Sequence, residues 1–190
     1  MISAPYVAAL LMGNPVLLAA LLTVIVYLLW RFRRQTASER RHQRYRATAE
    51  RVYARLGELS GDGQRMTYLR KINPYVFEEL LLLAFERQGY PVQRNASYSG
   101  DGGLDGKVHI NGECWLIQAK RYSRAIAPAH VRDFDALLTR MGQRGLFIHT
   151  GRTGQKSREV SQATPQLKII SGQQLLNLLS GIAIKEFTHD

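Results

Sequence analysis

The dipeptide Asn111-Gly112 sits between two runs of alternating side chains, "LDGKVHI" and "ECWLIQAK". Asn-Gly accepts positive φ at both central positions of a tight hairpin turn. The run on each side then pairs in one register, because a one-residue slip would turn every side chain to the other face. Within "CWLIQAK", alternation puts Trp115, Ile117 and Ala119 on one face and Leu116, Gln118 and Lys120 on the other. Gln118 and Lys120 therefore lie side by side on a face expected to pack against a helix. A buried lysine is costly unless it is paired, and Asp105, at the start of the neighbouring strand, is the obvious partner.

The elements around this hairpin predict a mixed α/β sheet. Asn73-Pro74 supplies an N-cap and a first-turn proline for the helix "PYVFEELLLLAFERQGY", with Gly89 as its stop. Phe77, Leu80, Leu81, Ala84 and Phe85 fall on one stripe of that helix. At about 100° per residue Glu78 falls at the edge of the stripe and Glu79 nearly opposite, which predicts a solvent-facing Glu79. "YPVQRN" reads as a strand, "APAHVRDFDALLTRMGQRG" as a helix, "GLFIHT" as a buried strand, "GQKSREVSQA" as a helix, "LKII" as a strand and "SGQQLLNLLS" as a last helix. A hairpin followed by strand–helix alternation gives a sheet with helices on both faces.

Charge is unevenly spread. The 190 residues carry a net +11, but residues 31–55 hold nine arginines against Glu39 and Glu50, so most of the excess sits there. Before it, Pro5 to Trp30 carries no charge. The pattern predicts an N-terminal membrane anchor over residues 1–30, with the main helix starting near Pro15 after the Asn14 cap. From residue 15 to 30 such a helix is about 24 Å long, slightly short of a bilayer core, with Arg31, Arg33 and Arg34 able to snorkel. Basic residues that follow the apolar run place the C-terminal side in the cytoplasm. The expectation is a single-pass protein of a bacterial inner membrane. Residues 31–63 read as a basic helical neck attracted to anionic lipid, ended by "SGDG". Residues 64–184 read as the folded domain and 185–190 as a tail.

Asp105, Glu78 and the Gln118 amide oxygen at one sheet end form a hard-oxygen set suited to magnesium or manganese. Lys120 beside them could orient a water or offset charge on a phosphate. An equally open reading of the same spacing is a buried ion pair. Gly100, Gly102, Gly103 and Gly106 leave room for a polynucleotide backbone, or simply form a loop; Asp101 on that loop reads as a turn former. No glutamate closes an EF-hand frame, and no Gly-Lys-Ser/Thr opens a helix. The single cysteine, Cys114, excludes a cysteine zinc site. His109, His130 and His149 show no metal spacing. Thr150, Thr153, Gln155 and Lys156 lie between a strand and a helix, where they either meet a phosphate or cap the helix.

"FEELLLLAFERQGY", "GDGGLDG", "WLIQAKRY", "HVRDFDALL", "GLFIHTGRTGQKSREVSQA" and "LKIISGQQLLNLL" follow one another in that order. Together they resemble the catalytic domain of Mrr-type restriction endonucleases, a branch of the PD-(D/E)xK nuclease superfamily, over about residues 66–182. The resemblance implies a restriction-endonuclease-like mixed sheet and magnesium-dependent cleavage of DNA phosphodiester bonds. It carries catalytic and metal-binding roles to Glu78, Asp105 and Gln118, and a catalytic role to Lys120. Gln118 in place of an acid is usual for the Mrr branch and removes one negative charge from the site. Arg121, Tyr122, Thr153, Gln155 and Lys156 are the candidate DNA contacts. One site per chain suggests a homodimer for double-strand cutting. The competing reading is a non-catalytic, membrane-anchored DNA- or protein-binding module that keeps the nuclease fold.

Overall fold

The computed structural model describes residues 14–95 and 103–182. Residues 1–13, 96–102 and 183–190 lie outside, so the expectations for Asp101, Gly100 and Gly102, for the tail and for the start of the apolar run fall outside the described residues.

Two compact units divide the chain, Met1–Gln43 and Arg44–Asp190. The described part of the first is helix α1, Pro15–Glu58, which continues into the second. Asn14 caps it as the sequence predicts: its side-chain oxygen accepts from the Val16 N–H at 3.1 Å. Large apolar side chains from Val16 to Trp30 are 41% to 73% exposed, all round the helix. Among the described residues no helix is long and apolar enough to cross a membrane. The expected transmembrane anchor is therefore not supported: Arg31 ends the uncharged part of α1 sixteen residues after Pro15.

The second unit is an α/β/α sandwich. After the last part of α1 come α2 (Asp62–Leu69), α3 (Pro74–Arg87), β1 (Val92–Arg94), β2 (Gly106–Ile110) and β3 (Glu113–Lys120). Then α4 (Pro128–Met141), β4 (Arg144–His149), α5 (Gln155–Ala163), β5 (Leu167–Ile170) and α6 (Gly172–Leu179) alternate. The sheet order is β1-β2-β3-β4-β5. β1, β2 and β3 pair antiparallel, and β3, β4 and β5 pair parallel. Asn111 and Gly112 turn the hairpin with φ of 52° and 80°, the pair of positive values this tight turn demands.

The alternation read from "CWLIQAK" decides which layer each side chain joins. Trp115, Ile117 and Ala119 pack with α3, α6 and Ala49, Val52 and Leu56 of α1 in one core. Leu116 packs on the other face with Phe147, Leu167 and Val131, Phe134 and Leu138 of α4. Gln118 and Lys120 share the α4 face with Leu116, while α3 lies across the other. Close approach of α3 to the sheet requires Gly106: a Cβ there would meet the Leu82 side chain at 2.8 Å.

α3 is buried nearly all round, as its "LLLLAF" run dictates. This corrects the expectation for Glu79. It is only 2% exposed, because residues 44–58 of α1 cover the side of α3 that a one-stripe reading leaves to water.

Candidate active site

Three elements meet at the C-terminal end of β3. The β2–β3 register places Gly106 opposite Ile117 and Lys107 opposite Leu116. Asp105 lies one residue before β2, where this regular pairing ends. The Asp105 N–H donates to the Ile117 carbonyl at 2.8 Å, and its Oδ2 accepts from the Ala119 N–H at 2.6 Å. The side chain thus takes over the ladder where β2 begins, which fixes the carboxylate beside β3.

Gln118 is held just as firmly. It is buried, and its Nε2 donates to the Gly103 carbonyl at 2.8 Å. This commits the amide nitrogen to the chain and leaves the amide oxygen as the atom Gln118 can offer a ligand. Gly103 has φ of +86°, and a Cβ on it would come within 2.9 Å of Gln118 Nε2. Both constraints select glycine. The base of the same loop is closed by Asn95, whose Nδ2 donates to the Leu104 carbonyl at 2.6 Å.

Glu78 enters from the first turns of α3, after Asn73 caps that helix by accepting from the Tyr75 N–H at 2.9 Å. Glu78 and Asp105 line one small cleft with Glu79, Leu82, Arg94, Asn95 and Leu104. Burial pushes the Glu78 carboxyl up to about 8, with the charges of Asp105 and Glu79 adding to the rise and Lys120 opposing it. Burial likewise pushes Asp105 up to about 6, against the pull of the Ala119 N–H and of Lys120. Lys120 therefore acts on both acids without neutralising the pair.

The donors suit a hard divalent cation: two carboxylates line one cleft, and an amide oxygen lies on the strand that Asp105 bonds to. Among the described residues no group of three His, Cys, Asp or Glu side chains is arranged to hold a metal ion. The amide of Gln118 would supply the third protein oxygen.

The remaining candidates separate. Arg121 donates to the Arg70 carbonyl at 2.7 Å and ties β3 to the end of α2. Thr150 is fully buried: its hydroxyl donates to the Tyr122 carbonyl and accepts from the Tyr122 N–H, both at 2.9 Å. Thr153 is engaged with His149 Nε2 at 3.1 Å and Ser171 Oγ at 3.0 Å. Gln155 and Lys156 are exposed on the first turn of α5. His149 is fully buried, which depresses its imidazole to about 4 and keeps it neutral. Sequence reasoning missed the Gln118–Gly103 contact; the legible signal for it was a glycine immediately before Leu104-Asp105.

A five-stranded mixed sheet flanked by helices, with these side chains at the end of β3, defines a restriction-endonuclease-like α/β domain. The chain belongs to the Mrr_cat restriction endonuclease family, whose profile matches residues 69–179. It is similar to the type IV methyl-directed restriction enzyme EcoKMrr of Escherichia coli (strain K12), 28% identical over 119 residues. That match takes in 58% of this chain and 39% of the E. coli enzyme. A solved structure of the restriction endonuclease FokI is also similar, at 13% identity and a TM-score of 0.43, over 60% of this chain and 26% of that one.

Proposed function

We propose that the protein is a magnesium-dependent endodeoxyribonuclease. The observation that carries this reading is the cleft that Glu78 and Asp105 line at the end of β3, where burial displaces both carboxyls upward and Lys120 opposes the rise. Glu78, Asp105 and Gln118 would hold Mg2+ or Mn2+. When bound, such an ion supplies Lewis-acid polarisation of a phosphodiester and a more acidic water. Lys120 orients the attacking water or offsets charge gathering on the phosphate.

The test is a cleavage panel with the full chain in detergent. Duplex, methylated, branched and single-stranded DNA belong in it, methylated duplex because the similar E. coli protein is described as methyl-directed. We expect cutting with Mg2+ or Mn2+, none in chelator, and none by Asp105→Ala or Lys120→Ala. A wild type that leaves the whole panel uncut refutes the reading and favours a non-catalytic binding module. Two-strand cutting with one site per chain would proceed through a homodimer, seen as a rate that rises with the square of protein concentration.

We also propose that the apolar stretch of α1 holds the protein at the cytoplasmic face of a membrane. The support is the ring of exposed apolar side chains from Val16 to Trp30 followed by arginines. Exposed apolar surface of this extent marks a membrane or protein contact. Carbonate extraction that releases the full chain into the supernatant would refute it.

A further inference from the structure

Beyond Lys120, the next side chain on the same parity of the chain is Tyr122. Its backbone is clamped on both sides by the buried Thr150 hydroxyl. Its ring meets His149 edge-on, with centroids 6.4 Å apart, and His149 is the register partner of Lys120 across β3 and β4. On its other side the ring stacks on His130, with centroids 5.9 Å apart and planes 25° from parallel. The Tyr122 hydroxyl hydrogen-bonds to His130 Nδ1. His130 itself lies on the first turn of α4 and is exposed.

Two consequences follow. Burial raises the Tyr122 hydroxyl above its ordinary range, so it keeps its proton and is available as the donor in its bond to Nδ1. A neutral imidazole that accepts at Nδ1 carries its own proton at Nε2, where it is a donor. Tyr122 lies two residues beyond Lys120, at most about 7 Å of chain. That is within one or two nucleotides of a phosphate at Lys120, since a strand advances about 3.4 Å per nucleotide. The nuclease chemistry described above makes no use of this stacked, hydrogen-bonded pair.

We propose that His130 and Tyr122 form a phosphate-backbone subsite next to the scissile position, resting on the nuclease reading. His130 donates from Nε2–H to a phosphate oxygen of the bound strand. Tyr122 is the positioning residue that fixes the tautomer and plane of the His130 ring. A phosphate contact of this kind sets register on the DNA without reading its sequence.

The experiment measures binding of a labelled duplex by fluorescence anisotropy, with the full chain carrying Asp105→Asn so that no cutting intervenes. His130→Ala raises Kd about fivefold, the effect of one lost hydrogen bond, and His130→Gln, which keeps an N–H donor, recovers most of it. Tyr122→Phe keeps the ring stack but removes the hydroxyl, and raises Kd about two- to threefold. The double variant is no weaker than His130→Ala alone, because both act through one contact. His109→Ala, at the hairpin end of the sheet, leaves Kd unchanged. The proposal is overturned if His130→Ala binds as tightly as its parent, or if the two substitutions multiply. A parent that binds no duplex refutes the nuclease reading and this subsite with it.

Discussion

Glu78 and Glu79 are neighbours on α3 and line the same cleft, yet their charge partners differ. Glu79 accepts from Arg94 Nε at 2.8 Å and lies 3.6 Å from Arg46 Nε. Arg94 reaches further to both carboxylate oxygens of Glu86, at 2.5 and 2.7 Å. Those bonds hold the Glu86 carboxyl below its ordinary value. Two acids and two arginines balance, and the cluster pins α3 to β1 and to α1. Among the described residues, Lys120 opposes the Glu78–Asp105 pair, helped at Asp105 by the Ala119 N–H, and both acids are displaced upward. The difference teaches how to separate structure from chemistry among buried charges. A balanced set is stable as it stands, whereas an under-neutralised one in a cleft is suited to receive a cation.

The largest effects that could break this contrast are catalytic. Lys120→Ala and Asp105→Ala should each lower the single-turnover cleavage rate at least about a hundredfold, as removal of a charge-stabilising group does. Arg94→Met should act on stability instead. It leaves Glu79 buried without its main partner and costs about 3–5 kcal/mol, read from urea unfolding midpoints. Glu78→Gln should cost far less. Equal losses for the two would erase the distinction.

A smaller effect is pH dependence, whose sign is opposite to that of an ordinary salt-bridged acid. Glu78 and Asp105 titrate higher folded than unfolded, so the folded state binds more protons. Their contribution is therefore fully present below about pH 4 and is lost as pH rises through about 6 and then 8. In chelator the melting temperature should fall across this window, and Glu78→Gln should flatten its upper part. The smallest effect belongs to Gly103→Ala. Its positive φ and the crowding against Gln118 should cost about 1 kcal/mol in stability, with a few-fold loss of cleavage as Gln118 is pushed aside.

Much of this was legible in the sequence where local rules act alone. The hairpin turn at Asn111-Gly112, the caps Asn14 and Asn73, and the strand–helix order follow from backbone chemistry and alternation, and the structure has them. That Asp105 reaches β3 next to Gln118 followed from the hairpin, and its carboxylate there accepts from the Ala119 N–H. What escaped depends on packing at a distance. Glu79 read as exposed because nothing in the arginine-rich stretch announces that Ala49, Val52 and Leu56 cover α3. Helix α2 was hidden because its start, Asp62-Gly63, reads as a turn. Thr150 read as a phosphate contact or a helix cap because its role, clamping the chain at Tyr122, joins residues 28 positions apart.

Calorimetric titration of Mg2+ tests the central claim most directly, using wild type, Glu78→Gln, Asp105→Asn and Glu79→Gln at pH 7 in two buffers of different protonation enthalpy. The account predicts one binding event in wild type, with heat that depends on buffer because Glu78 releases a proton. It predicts loss of that event in Glu78→Gln and Asp105→Asn, and its retention in folded Glu79→Gln. Magnesium binding that is indifferent to Glu78 and Asp105, or that is lost only with Glu79, would contradict it.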